Sequence, residues 1–352
     1  MSEAVLNSVA RRVVARPRLG FLGVGWIGRN RLEAIARSGV AEIAAIADAS
    51  HEAVAQAATV APQALRASAL EELLEIGLDG LVIATPSALH AEQAIAALQS
   101  GIAVFCQKPL ARNAVETKHV VAAACAADRL LGVDLSYRFI TGMQYIADLV
   151  RNGDLGEVFA VNTIFHNAYG PHKAWFYDSR LAGGGCVMDL GIHLVDLVLW
   201  ALDFPPVGEV ASRLFAQGRP LGERADAVED YATALLTLGN GAAVQLACSW
   251  RLPAGCDAVI ALEFYGARGG AALRNVNGSF YDFVAERFQG TERETLSAQP
   301  QEWGGRAAVD WARRLATGEQ FDPQAWRLIE VAAALDAIYG GVSRGDHCSD
   351  AR

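Results

Sequence analysis

Lysine is nearly missing from this 352-residue chain. Only Lys108, Lys118 and Lys173 stand among its 30 basic residues, and acids outnumber bases to leave a net charge of −9. A nucleic-acid backbone is held by a basic face, so this balance argues against that partner, although a small anion can still be held locally. Cysteine is sparse too. The six stand at 106, 125, 186, 248, 256 and 348, with no CxxC and no zinc framework, which predicts reduced thiols and no metal site. No uninterrupted apolar run approaches the roughly 18 residues of a membrane span. Arg11, Arg12, Arg16 and Arg18 come without the apolar stretch of a secretion signal. Fixed-period repeats and low-complexity linkers are lacking as well. The expectation is a cytoplasmic protein that binds neither membrane nor nucleic acid.

What is present in quantity is apolar material, 52% against 20% charged, enough for about two cores at a prior of roughly 150 residues per domain. Residues 1–17 read as a lead-in. From Leu19 to Leu135, short apolar runs alternate with helical spacing for over a hundred residues, which predicts βαβ units around a parallel sheet, an α/β fold. After Asp134 the texture changes. A helix over Gln144–Arg151 and an alternating strand over Val158–Phe165 lead to Gly183-Gly184-Gly185 and a helical stretch through Leu202. Strands fill 207–290, and Trp303–Ala316 and Pro323–Tyr339 read as helices. Clustered strands with helices outside them predict an α+β domain. The boundaries are 18–137 for the α/β domain and 138–352 for the α+β domain. The terminal helices of the second can pack back on the first.

Gly23-Val24-Gly25-Trp26-Ile27-Gly28 is GxGxxG, placed directly after an apolar strand and directly before a helix. The first glycine permits the turn, the second lets backbone approach a pyrophosphate, and the third packs helix against strand. Free N–H groups at the helix start then face the phosphates. Asp48, 20 residues on at a strand end, can accept from both ribose hydroxyls and repels a 2′-phosphate, which favours NAD. Ser50 and His51 beside it leave NADP open. Thr85-Pro86 and Gln107-Lys108-Pro109 both end strands, at the sheet edge where ligands of open α/β folds sit. An ammonium at Lys108 can stabilise an alkoxide as hydride leaves. The plain alternative is a surface lysine in a turn, and the scarcity of lysine weighs against it. Pro109 is a candidate for a cis peptide.

Asp189 and His193 are four residues apart, so a helix puts them on one face, with Asp196 roughly on the same side. Apolar Val187, Leu190, Leu194 and Leu197 shield them. A histidine there can take a hydroxyl proton, and a carboxylate can orient it or hold substrate hydroxyls. The alternative is a satisfied core histidine. A metal lacks a third well-spaced ligand.

Together these residues resemble the Gfo/Idh/MocA family of NAD(P)-dependent oxidoreductases, from about 17 to 340. The motifs are the turn at 23–28, Thr85-Pro86 with His90 beyond it, Lys108-Pro109, and Asp189…His193 after a glycine run. The resemblance implies a Rossmann domain joined to a domain built on a large, mostly antiparallel sheet, whose open face serves as a dimer or tetramer interface. It assigns Lys108, Asp189 and His193 as catalytic. The cofactor residues are Gly23, Gly25, Trp26, Ile27, Gly28, Asp48, Thr85, Pro86, His90, Gln107 and Lys108. Gln107 departs from the family's usual Glu and carries no charge.

For substrate, Tyr137 and Arg138 stand where the first domain ends, and Arg138 can hold a carboxylate, phosphate or hydroxyl. His166, Tyr169, His172, Lys173 and Trp175 form a polar and aromatic stretch of the kind that suits a sugar. Trp250-Arg251 is a weaker candidate. Trp303, Trp311 and Trp326 read as packing residues. The expected activity is hydride transfer between NAD (NADP remains open) and a sugar, cyclitol or close derivative. A redox-neutral glycosidase that retains NAD and a non-enzymatic cofactor sensor are the alternatives.

Overall fold

A computed structural model describes residues 16–223, 227–298 and 301–340. Residues 1–15 of the lead-in and Cys348 lie outside the described residues. The N-terminal part runs β1 (Arg18–Leu22), α1 (Trp26–Ser38), β2 (Glu42–Ala47), α2 (His51–Val60), β3 (Leu65–Arg66), α3 (Leu70–Glu75), β4 (Gly80–Ile83), α4 (Ser87–Gln99), β5 (Ala103–Cys106), α5 (Ala114–Ala127) and β6 (Leu131–Val133). Its sheet is parallel throughout, in the order β3-β2-β1-β4-β5-β6. The strands are short and apolar because helices cover both faces; every residue of β4 and β5 is buried. The order reverses between β1 and β4, and that crevice is where such sheets take their ligands.

The second part holds α6 (Thr141–Arg151), β7 (Val158–Asn167), α7 (Ser179–Ala182), α8 (Ile192–Ala201), β8 (Val207–Ala216), β9 (Arg219–Pro220), β10 (Tyr231–Leu238), β11 (Ala243–Ser249), β12 (Ala258–Gly266), β13 (Gly270–Asn275), β14 (Phe283–Gln289), β15 (Glu292–Ser297), α9 (Arg306–Ala316) and α10 (Arg327–Ile338). The nine strands form one sheet, β15-β14-β13-β12-β7-β11-β10-β8-β9, antiparallel except between β7 and β11. One face packs on α6, α8 and α10 and the other is open. β10 shows this residue by residue: Ala232, Ala234, Leu236 and Leu238 are buried, while Thr233, Leu235 and Thr237 are exposed. The helical run Ser179–Ala201 is long and apolar enough to cross a membrane, yet 89% of its apolar window is buried in this core.

Two local readings differ from expectation. Ser68 does not cap α3; Ala69 precedes the helix, and Glu72 reaches back to accept from the Ser68 N–H and hydroxyl. The stretch after the glycine run opens as a π-turn over Val187–Gly191 before α8 begins. α9 returns to the first sheet. Its Trp311 sits where Gly80 and Gly132 lack side chains; a Cβ at either would come within 2.7 Å of the indole. Trp303 and Trp311 are buried, whereas Trp326 is 39% exposed.

Candidate active site

The two sheets face one another across a cleft of about 2370 Å³, well above the roughly 300–1,000 Å³ of a site for one small ligand. On the N-terminal side the glycine turn is sterically obligatory. Gly23 has φ +86°, and a Cβ there would lie 2.6 Å from the Ala84 backbone; one at Gly28 would lie 2.0 Å from the Gly23 carbonyl oxygen. At Gly25, which precedes α1 without a side-chain cap, the only atom of the described residues within 4 Å of such a Cβ, beyond Gly25 and its chain neighbours, is a lysine nitrogen. The turn is therefore bare toward the cleft, and the uncapped helix start offers N–H donors to an anion. Asp48 stands beside it. Its carboxylate accepts from the Val24 N–H at 2.8 Å and the Ser50 N–H at 2.8 Å, which fixes its aim. These residues fit a dinucleotide: a cradle that a Cβ would fill, donors for phosphate and an acid for a ribose.

Thr85 and Pro86 follow β4, and Gln107, Lys108 and Pro109 follow β5; all line the cleft. The Lys108–Pro109 peptide is cis. His90 ties the two turns together. Its Nδ1 lies 2.7 Å from the Pro109 carbonyl oxygen and its Nε2 2.8 Å from that of Thr85. Placed in the cofactor set by sequence, its ring is 1% exposed and both nitrogens are engaged, so it braces the turns that reach the cofactor. The Gln107 amide donates to Asp134. Asp134 also accepts from Arg31 Nε at 2.5 Å and from the Ser136 hydroxyl. This buried group of four was not anticipated, since Arg31 and Asp134 stand 103 residues apart.

On the facing side, the glycine run places the catalytic candidates. A Cβ at Gly185 would lie 1.9 Å from the Glu229 carbonyl oxygen, and one at Gly184 2.0 Å from the Tyr339 hydroxyl. Buried Glu229 accepts from the N–H groups of Gly185 and Val187 at 2.9 Å and from Tyr339 Oη at 2.7 Å. Burial pushes its carboxyl up, against these hydrogen bonds. The segment bearing Asp189 is thus pinned at its start by a carboxylate. Sequence reasoning passed over Glu229; its one signal was an acid just ahead of an alternating strand.

Lys108 Nζ donates to the Asp189 carboxylate at 2.6 Å and to its carbonyl oxygen at 2.6 Å. The other carboxylate oxygen accepts from Trp250 Nε1 at 3.0 Å. Asp189 therefore orients Lys108, and no hydrogen bond joins it to His193; the π-turn changes the angular spacing on which the one-face argument rested. His193 lies in the same cleft, packed at a tilt of 48° against Tyr137 with ring centroids 4.6 Å apart, and its Nδ1 has no partner among the described residues. Burial, then the charges of Lys108 and Arg31, hold its pKa well below 6.5. Burial and the nearby Asp189 charge push the Tyr137 phenol up, so it stays a donor.

Three sequence candidates lie elsewhere. Arg138 does not line the cleft: its guanidinium is held by Asp196, with Nε to Oδ2 at 2.8 Å, against Trp200 and Phe204. That pairing also removes Asp196 from the side of Asp189 and His193. His166 points to the open sheet face, bonded to Ser249 at 2.8 Å and stacked on Tyr231, because successive strand residues alternate and Phe165 takes the core side. Tyr169 and Trp175 do line the cleft, as do Trp26 and Ile27. Phe280, Tyr281 and Trp303 line it as well; Trp303 lies tilted against Tyr137 with centroids 4.7 Å apart and so both packs and faces the site.

A Rossmann sheet and a large antiparallel sheet, meeting at a cleft that holds a dinucleotide cradle with Lys108, Asp189 and His193, define a class of two-domain dinucleotide-binding oxidoreductase folds. Residues 17–135 match the oxidoreductase family with NAD-binding Rossmann fold, and residues 143–272 match the GFO/IDH/MocA C-terminal domain. The chain is 33% identical over 315 residues to a putative UDP-kanosamine synthase oxidoreductase subunit of Amycolatopsis mediterranei, covering 85% of this chain and 86% of that one. It is 28% identical over 211 residues to D-glucoside 3-dehydrogenase of Escherichia coli, spanning 57% of this chain but only 60% of that protein's length. Among solved structures it is similar to levoglucosan dehydrogenase in complex with NADH and L-sorbose, with TM-score 0.79, 22% identity and coverage of 93% and 96%. The chain belongs to the Gfo/Idh/MocA oxidoreductase family.

Proposed function

We propose that this chain is an NAD-dependent dehydrogenase or reductase that acts on a CH–OH group of a sugar, a cyclitol or a close derivative. One observation carries the reading: Lys108 from the first sheet and Asp189 from beyond the glycine run meet at 2.6 Å in the cleft that also holds His193. Oxidising an alcohol to a carbonyl releases a hydride and a proton, and the nicotinamide, when bound, supplies the hydride acceptor. The chain handles the proton and the charge. His193, neutral near pH 7, accepts the hydroxyl proton. The Lys108 ammonium donates to the same oxygen as negative charge develops on it. Asp189, fixed by Trp250, aims that ammonium. Tyr137, Tyr169 and Trp175 supply the aromatic and hydroxyl lining suited to a polyol. Sugar and cyclitol relatives support this substrate class.

The test is a screen of sugars, cyclitols and sugar acids with NAD and NADP side by side, followed by a pH profile on the best substrate. Net NADH formation is expected; retention of bound NAD with no net NADH would indicate the redox-neutral alternative. The sign of the His193 shift sets the profile. A base with its pKa below 6.5 is already neutral above that value. From about pH 8 down to 6.5, kcat/KM for oxidation therefore stays flat, and it falls only at lower pH as imidazolium forms. An acid limb centred above 6.5 would remove His193 as the base.

The reading includes a cytoplasmic location, in keeping with five free cysteines among the described residues. It also includes a homodimer or homotetramer through the open face of the nine-stranded sheet, supported by Leu235, 47% exposed in mid-strand on that face. Light scattering should give at least twice the chain mass, and Leu235→Glu should lower it; a wild-type monomer would refute this arrangement.

A further inference from the structure

Lys173 is one of three lysines, and it belongs to the facing domain. It sits in the connection between β7 and α7 and lines the cleft. Its Nζ lies 3.5 Å from the position a Cβ would take on Gly25, so the ammonium hangs over the second glycine of the turn. Lys173 is exposed, and its ammonium has no hydrogen bond or ion pair among the described residues; only its backbone carbonyl is engaged, by the Phe176 N–H at 3.2 Å. Three other cations of the same cleft are engaged: Arg31 with Asp134, Lys108 with Asp189, and Arg306 with the Phe139 carbonyl oxygen. The cleft also carries Asp48, Glu71, Glu92, Asp134 and Glu302. A pyrophosphate entering the cleft meets N–H donors at the start of α1, but those carry only partial charge. A full unit of positive charge without a partner stands directly above them.

We propose that Lys173 is a cofactor-binding residue contributed across the cleft, which pairs with the pyrophosphate on the glycine turn and thereby draws the 168–178 connection onto the bound dinucleotide. The inference rests on the dinucleotide reading above and goes beyond it in assigning a residue outside the Rossmann domain. The connection is the one that carries Tyr169 and Trp175. Trp175 stacks on Phe176 at 3.8 Å, and Phe176 and Tyr177 meet the indole of Trp250, which holds Asp189. A cofactor seated under Lys173 thus fastens the stretch that lines the substrate space and backs the residue aiming Lys108.

The experiment measures the Kd of NAD and of ADP-ribose by calorimetry over a range of salt concentrations, for wild type, Lys173→Gln and Lys173→Arg. Hydrogen exchange of residues 168–178 is followed with and without NAD. Lys173→Gln should weaken both ligands about tenfold, as loss of one charge-assisted hydrogen bond does. It should also flatten the salt dependence, because one ion contact fewer is screened. Lys173→Arg should retain most of the affinity. NAD should protect 168–178 in wild type and not in Lys173→Gln. Lys173 is exposed, so its replacement leaves the fold intact. Wild type that binds NAD while Lys173→Gln binds equally tightly, with the same salt slope, overturns this inference alone. Wild type that binds neither NAD nor NADP overturns the dinucleotide reading and this inference with it.

Discussion

Replacing His193 by alanine should lower turnover by about 10²–10⁴-fold, the range for loss of a positioned general base, with the Kd for NAD nearly unchanged. The split follows from where the ring sits. His193 is 8% exposed and touches Tyr137 and Phe165, residues of the second part of the chain and its border, while the cradle at Gly23, Gly25 and Asp48 lies on the opposite wall. Removing it takes away the acceptor for the hydroxyl proton and leaves the phosphate and ribose contacts alone. Lys108→Met should be comparably severe, about 10²–10³-fold, because it deletes a donor aimed at developing negative charge. Steady-state rates with calorimetric NAD binding check both variants. Parallel loss of turnover and NAD affinity in His193→Ala would mean the ring is structural, and a sensor protein would tolerate both changes.

Asp134→Ala should destabilise the fold by about 3–5 kcal/mol, the cost of stranding one member of a buried ion pair. The Asp134 side chain is 0% exposed and that of Arg31 8%. The carboxylate accepts from Arg31, Gln107 and Ser136 at once. Without it the guanidinium keeps the 3.1 Å bond to Ser136 and the 2.6 Å bond to Asn30 but has no counterion. The loss is also local to function, because Gln107 precedes Lys108 and is anchored by the same carboxylate. Urea unfolding gives the shift in midpoint at a constant slope. A change under about 1 kcal/mol would place this pair with the weak surface bridges.

The Rossmann half was legible because its signals are local. Apolar runs of strand length, helical spacing, and glycines that cannot be substituted all read within ten or so residues, and the chain order supplied the rest. The cleft was half legible. Lys108, Asp189, His193, Tyr137, Tyr169 and Trp175 were placed in the site by sequence and all line the cleft, but Asp189 was read as orienting the histidine or holding substrate hydroxyls, not as the partner of Lys108. One π-turn, a feature without a residue code, turned the carboxylate toward a lysine 81 residues away. Arg138 and His166 misled for related reasons. A basic residue near a site is indistinguishable in sequence from one already paired, and Arg138 finds Asp196 58 residues on. Strand parity decides which face a residue takes, and it sent His166 to the open side.

Sequence by itself determined the class of fold, the glycine turn with its acid, and the residue types able to move a proton and stabilise an alkoxide. Those depend on backbone sterics and side-chain chemistry, which act over a few residues. Tertiary structure alone decided who meets whom: Lys108 with Asp189, Asp134 with Arg31, Glu229 with the glycine run, Lys173 with Gly25. Such pairings rest on distances between segments far apart in the chain, set by how two sheets pack, and no local pattern encodes them.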